Sequence, residues 1–151
     1  MELLRRVAGF GASSEDLKNI YFLFVRSQLE QSAVVWHSAL TEENKNDLER
    51  VQRSAMKIIM GEQYKGYQKS LDTLQIDTLE IRREKLCLKF AQRCLKNDQT
   101  KKMFPYKLKD HKMKTRATEK YQVQHANTKR LQNSPLIYMQ NLLNSKDESE
   151  Q

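Results

Sequence analysis

The chain has 151 residues, 38% of them hydrophobic and 30% charged, with 27 Lys/Arg against 19 Asp/Glu and a formal net charge of +8. That length fits one domain or two small ones, and the low mean hydropathy of −0.81 still permits a modest core because the apolar residues are bunched. Four Gly and two Pro argue against a sandwich, a barrel or a phosphate-cradling loop enzyme, and no apolar run nears the ~20 residues that span a bilayer.

In chain order, the opening MELLRRVAGFGASSED lacks the long apolar stretch of a secretory signal. Ser13 followed by Asp16 is a capping-box-like start, and Leu17, Ile20, Tyr21, Phe24, Val25, Leu29, Ser32, Ala33 and Trp36 then keep i, i+3, i+4 spacing. One long amphipathic helix is predicted there, with Trp36 largely buried at its end. Thr41 with Glu42 and Glu43 opens a second helix striped by Leu48, Val51, Ala55, Ile58 and Ile59, and Gly61 suits the position after its last turn. A loop with Tyr64, Gly66 and Tyr67 leads to a short helix holding Leu71 and Leu74. Asp77 with Glu80 opens a third long helix, whose apolar side is Leu79, Leu86, Cys87, Phe90, Ala91, Cys94 and Leu95, with Arg82, Arg83, Lys85 and Lys89 lying largely elsewhere. The expectation is an all-α fold: a small bundle of three long helices over residues 1–97.

Beyond residue 97 the helical period fails. KKMFPYKLKDHKMKTRATEK has too few apolar residues to bury, so 98–133 is expected to be a basic, largely irregular arm. Tyr121, Val123 and His125 alternate as in one short strand. Ser134 as N-cap and Pro135 at N1 start a terminal helix over 134–144, followed by an expected disordered acidic tail at 145–151.

Charge follows the same division. Residues 96–130 hold 11 Lys/Arg against Asp98, Asp110 and Glu119, a net of +8, whereas 1–95 net +2 and 131–151 net −2. Lys101, Lys102, Lys107, Lys109, Lys112, Lys114, Arg116 and Lys120 suit phosphate neutralisation, with Phe104, Tyr106 or Tyr121 available to stack on bases. Charge alone fits a solvated arm equally well. No zinc-finger spacing, RRM signature or helix-turn-helix accompanies the run, so the expected contact with RNA or DNA is to the backbone and independent of sequence.

Signatures of catalysis are missing. There is no G-x-x-x-x-G-K, G-x-G-x-x-G or H-E-x-x-H, and His37, His111 and His125 are too scattered for a metal site or a nucleophilic triad. Cys87 and Cys94, seven positions apart in one helix, would have Cα atoms about 10 Å apart, beyond the ~7 Å a disulfide allows. They read as packing residues, in keeping with an intracellular setting, cytoplasm or nucleus. No catalytic residue, metal or cofactor is expected, and no membrane partner.

Read end to end, the chain resembles the C-terminal region of the reverse transcriptase of jockey-like non-LTR retrotransposons. The blocks that carry the resemblance are LLRRVAGFG at 3–11, a capped helix reaching Arg26, Leu29, Glu30, Val35, Trp36 and His37, and LERVQRSAMKIIMG at 48–61. Then come Tyr64, Tyr67, Leu71 and Leu74, LEIRREKLCLKFAQRCLKN at 79–97, Phe104-Pro105, HKMKTR at 111–116, VQHANTKRL at 123–131 and SPLIYMQNLLN at 134–144. The family usually has proline at the positions of Ser27 and Val34 and tyrosine at that of Gln31. Without those prolines a straighter first helix is expected.

The resemblance implies the thumb and its extension, the region that follows the polymerase palm and helps hold template RNA and primer DNA. The palm with its paired aspartates, and the endonuclease, belong to the preceding parts of such polyproteins. The expected function is therefore that of a non-catalytic part of an RNA-directed DNA polymerase, with sequence-independent nucleic-acid binding. Two alternatives stand beside it: a helical protein-interaction module, whose partner is a polymerase palm or another helical protein, and a degenerate product without function.

Overall fold

A computed structural model describes residues 1–106 and 120–149, the last three by backbone alone. The chain is mostly helical, and no described helix is long and apolar enough to cross a membrane. Among the described residues there is no strand. The alternation at Tyr121, Val123 and His125 yields only an isolated antiparallel bridge between Tyr106 and Tyr121.

The residues group into two compact units, 1–33 with 40–83, and 34–39 with 84–151. The division between them falls inside the third long helix, between Arg83 and Glu84.

In the first unit, α1 (Glu2–Gly9) buries Leu4. Helix α2 (Ser14–Ile20) starts as its sequence dictates: the Ser13 hydroxyl accepts from the Asp16 amide at 3.2 Å and donates to the Asp16 carboxylate at 2.6 Å. The long helix predicted from there to Trp36 does not run through. Tyr21–Arg26 is a π-helical segment, continued by α3 (Ser27–Glu30). A π turn holds more residues than an α turn, so the 3.6-residue register slips. Phe24, expected in the apolar stripe, is consequently 59% exposed, while Phe22 packs on the core. Arg26 lies over the Phe22 ring at 3.8 Å, and Arg26 and Arg82 both reach the Glu30 carboxylate, at 3.5 and 3.1 Å. The helix then breaks without any proline, at Ser32, whose φ of 53° is left-handed. The straighter helix expected here is not found.

Helix α4 (Ala33–Trp36) and a 3₁₀ turn (His37–Ala39) follow the break. Trp36 is only half-buried, because the break ends the register that would have carried it into a core. Helix α5 (Glu42–Met60) is capped by Thr41, which accepts from the Asn44 amide at 3.2 Å, and it ends at Gly61 with φ of 50°, the positive value that favours glycine there. Its fully buried residues are Gln52, Ala55, Met56 and Ile59. After a 3₁₀ turn (Gly61–Gln63) comes α6 (Tyr67–Leu74), which contributes Leu71. The core of this unit is Leu4, Leu17, Tyr21, Ala55, Met56, Ile59, Leu71 and Ile76.

A polar chain crosses this core. Gln52 accepts from the Tyr21 hydroxyl at 2.6 Å and donates to the Tyr67 hydroxyl and the Asp77 carbonyl, both at 3.0 Å. The Tyr67 hydroxyl donates in turn to Glu49, whose other oxygen accepts from the Leu79 amide at 3.2 Å. Glu49 thereby caps the start of α7 (Leu79–Leu95) together with Thr78, which accepts from the Ile81 amide at 3.3 Å. Arg83, expected on the outer side of this helix, is fully buried. It stands in the i, i+4 row of Leu79, Cys87 and Ala91, and the register decides the outcome.

The second unit is built on Cys87, Leu88, Ala91, Cys94, Phe104, Tyr121, Met139 and Leu143. Both cysteines are buried, and neither is in a disulfide. Phe90, expected in the stripe, is 42% exposed. Short helices α8 (Asp98–Lys101) and α9 (Lys129–Gln132) precede α10 (Pro135–Ser149). Helix α10 starts as predicted at Ser134-Pro135, the Tyr138 amide donating to the Ser134 carbonyl at 3.1 Å. It continues five residues past the expected end, through part of the stretch expected to be a disordered tail, since no glycine or proline follows Asn144 to stop it. His37 packs against Tyr138 edge-on at 5.4 Å and shares a 3.2 Å hydrogen bond with its hydroxyl.

Candidate nucleic-acid interface

The basic segment enters this second unit through α8. Asn97 caps that turn by accepting from the Gln99 amide at 2.9 Å, and the Thr100 hydroxyl donates to the Cys94 carbonyl at 2.8 Å. Lys101 and Lys102 leave it exposed. Phe104, 1% exposed, then anchors the chain in the core, and Pro105 holds the backbone extended into Tyr106.

On the return side, Lys120 is exposed and Tyr121 is buried, 5% exposed. The two stems meet. Besides the Tyr106–Tyr121 bridge, the Gln122 amide donates to the Pro105 carbonyl at 2.8 Å. The two tyrosine rings stack, with centroids 5.3 Å apart and planes inclined by 26°, and the Lys120 ammonium lies 5.7 Å from the Tyr121 ring centroid.

Two amide side chains one turn apart on α10 hold this junction. The Asn144 oxygen accepts from the backbone amides of Tyr121 at 2.9 Å and Lys120 at 3.2 Å, while its nitrogen donates to the Tyr121 carbonyl at 3.1 Å. Gln140 donates to the Met103 carbonyl at 3.0 Å and accepts from the Gln124 amide at 3.3 Å. Irregular backbone has no ladder of its own, and buried amides and carbonyls left unpaired are costly. Gln140 and Asn144 supply the missing partners.

Of the residues singled out in the sequence, Tyr106, Lys120 and Tyr121 are thus brought together, and Lys101 and Lys102 sit at the mouth of the first stem. Lys107, Lys109, Lys112, Lys114 and Arg116 lie outside the described residues. Tyr121 needs correction as a stacking residue: buried in the core beneath Tyr106, it supports a ring rather than offering one. Gln140 and Asn144 were not anticipated. Their signal was present, as amide residues at i, i+4 in the same rows as Leu136, Ile137 and Leu143, where a simple apolar stripe would have none.

Among the described residues no group of three or more His, Cys, Asp or Glu side chains is placed to hold a metal ion. No protein-family model, curated protein or solved structure matches the chain.

Proposed function

We propose that this chain is the post-palm part, thumb and extension, of a non-LTR retrotransposon reverse transcriptase, and that it acts without chemistry of its own as a sequence-independent binder of nucleic-acid strands. The observation that supports the binding role best is the tyrosine junction. It joins the exposed Tyr106 to Tyr121, over whose ring Lys120 lies, with Lys101 and Lys102 just upstream, and it anchors both ends of the segment that holds five further cations at 107–119. Cations neutralise phosphates and release counterions, so affinity without base reading follows from charge alone.

The test is the salt dependence of binding to short RNA and DNA strands. About six phosphate contacts give a log–log slope near −4, at ~0.7 per contact. Replacing Lys107, Lys109, Lys112 and Lys114 together with Gln should flatten the slope by about 3 while helical content is retained. An unchanged slope, or no binding by the wild type at low salt, refutes the reading.

A second reading, a helical protein-interaction module, draws on one specific feature. The π-helical slip leaves Leu23 68% and Phe24 59% exposed side by side, and exposed apolar side chains in contiguity mark contact surfaces. A partner held there would be indifferent to the four lysine replacements, and that difference separates the two readings.

A further inference from the structure

We propose that the substrate of the tyrosine junction is specifically single-stranded nucleic acid, with an unpaired base docking on the outer face of Tyr106 as the third layer of a stack that Tyr121 begins. The inference rests on the nucleic-acid reading above and narrows it to a substrate class and to one side chain.

The geometry of the pair carries it. Ring centroids 5.3 Å apart with planes inclined by 26° are the offset-stacked arrangement that aromatic quadrupoles favour. The lower ring belongs to a residue 5% exposed and the upper to one 52% exposed. With Tyr121 stacked against it, Tyr106 is still half exposed, and the proposed docking side is the one away from Tyr121.

This platform is built before any ligand arrives. The backbone at both rings is fixed by the bridge, by the 2.8 Å bond from the Gln122 amide to the Pro105 carbonyl, and by both polar atoms of the Asn144 amide. Phe104, 1% exposed, pins the chain two residues before Tyr106. An aromatic residue on a loose arm must give up side-chain and backbone freedom on binding, whereas one already stacked and anchored gives up little. Lys120, whose ammonium lies 5.7 Å from the Tyr121 ring centroid, adds a cation at the base of the stack, where backbone phosphates of a bound strand can be neutralised.

Strandedness follows from what such a surface can take. In a duplex each base face is covered by its stacked neighbours and only base edges show in the grooves. A flat ring can receive a base only from a strand that has one to spare. Lysine contacts to phosphate are blind to this difference, and the stacked layer is not.

The test compares a short oligo(dT) strand with a DNA duplex of equal length, at several salt concentrations, for wild type, Tyr106→Ala and Tyr106→Trp. The stack predicts that Tyr106→Ala weakens oligo(dT) binding about 5- to 150-fold, the range measured for loss of one base–aromatic stack. Its salt slope and its duplex affinity should match the wild type, and Tyr106→Trp should bind oligo(dT) at least as well as the wild type. Near-ultraviolet and far-ultraviolet circular dichroism of the variants establishes that the fold is kept, as expected for a half-exposed side chain. Equal oligo(dT) affinity for wild type and Tyr106→Ala overturns the platform while leaving phosphate binding in place. Parallel losses on strand and duplex also overturn it, since a stack cannot act on a duplex. Failure of the wild type to bind either probe at low salt overturns this inference and the nucleic-acid reading together.

Discussion

Both units of this protein place amide side chains where apolar ones belong, and they use them for different ends. In the first, Gln52 is fully buried and joins the helical side chains of Tyr21 and Tyr67 to one carbonyl, that of Asp77 in the link before α7. In the second, Gln140 and Asn144, 2% and 7% exposed, bond almost only to irregular backbone at 103 and at 120–124. Helices satisfy their own backbone, so Gln52 is free to fix the mutual register of helices whose cores are already complete. An irregular segment does not, so its burial depends on outside partners. In the second core, α10 carries the hydrogen-bond partners of the irregular segment along with its apolar residues.

The largest effect is expected from Gln52→Leu. The substitution keeps the volume nearly constant but leaves the Tyr21 hydroxyl and the Asp77 carbonyl without their amide partner and the Tyr67 hydroxyl with one bond fewer. Each orphaned buried group costs about 1–3 kcal/mol, so a loss of about 3–4 kcal/mol is expected. Urea denaturation followed by far-ultraviolet circular dichroism measures it. A loss below about 1 kcal/mol would mean that the network is incidental to stability.

Asn144→Ala tests the other side at smaller cost. It removes the partner of two backbone amides and one carbonyl, but the stem adjoins the exposed Lys120 and can open locally to let water replace Asn144, and about 2 kcal/mol is expected. The readout specific to the latch is local. Hydrogen exchange at the Tyr121 amide should accelerate to near the rate of open loop residues, and the near-ultraviolet signal of the stacked tyrosines should weaken. If both persist in Asn144→Ala, the Tyr106–Tyr121 bridge holds the stems by itself.

Much of this was readable in the sequence wherever one local rule decides the outcome. The Ser13 and Thr41 caps, the Gly61 terminus and the Ser134-Pro135 start all stand where their residues put them, because capping depends on a few adjacent atoms. Apolar periodicity located the helices but assigned their buried sides only in part. Gln52, Arg83, Gln140 and Asn144 occupy core rows, where apolar spacing alone predicts no polar side chain. A buried amide or guanidinium is stabilised by partners far along the chain, as Gln52 is by Tyr21 and Asp77, and local spacing does not reveal those partners. The π-helical segment defeated the 3.6-residue template directly, exposing Phe24 and admitting Phe22. At the candidate interface the cations were evident from composition. Which tyrosine faces solvent was not, since that depends on the pairing of residues 106 and 121 across a segment with no regular period.

The smallest effect expected near neutral pH, and a clean one in alkali, comes from the same network. Burial first, then the hydrogen bond to Glu49 and its charge, push the Tyr67 phenol far above its ordinary range, and burial does the same for Tyr21 against the weaker opposing pull of Arg26. In the unfolded chain both phenols titrate near their ordinary value of about 10. Above that pH the unfolded chain releases protons that the folded chain keeps. Folded stability is therefore fully present below about pH 10 and falls as pH rises further, by up to about 1.4 kcal/mol per pH unit for each tyrosine. Lys45, held above its ordinary value by hydrogen bonds to Glu42 and Glu80, acts in the same direction: its contribution is complete below its unfolded value and is lost above it. Urea midpoints between about pH 8 and about pH 9 should therefore hold nearly constant, and those above about pH 10 should drop. Tyr67→Phe removes one of the two phenols and should make that alkaline slope shallower, whatever it costs at neutral pH. A variant with the wild-type slope would show that Tyr67 ionises freely in the folded protein and that its bond to Glu49 is not held in solution.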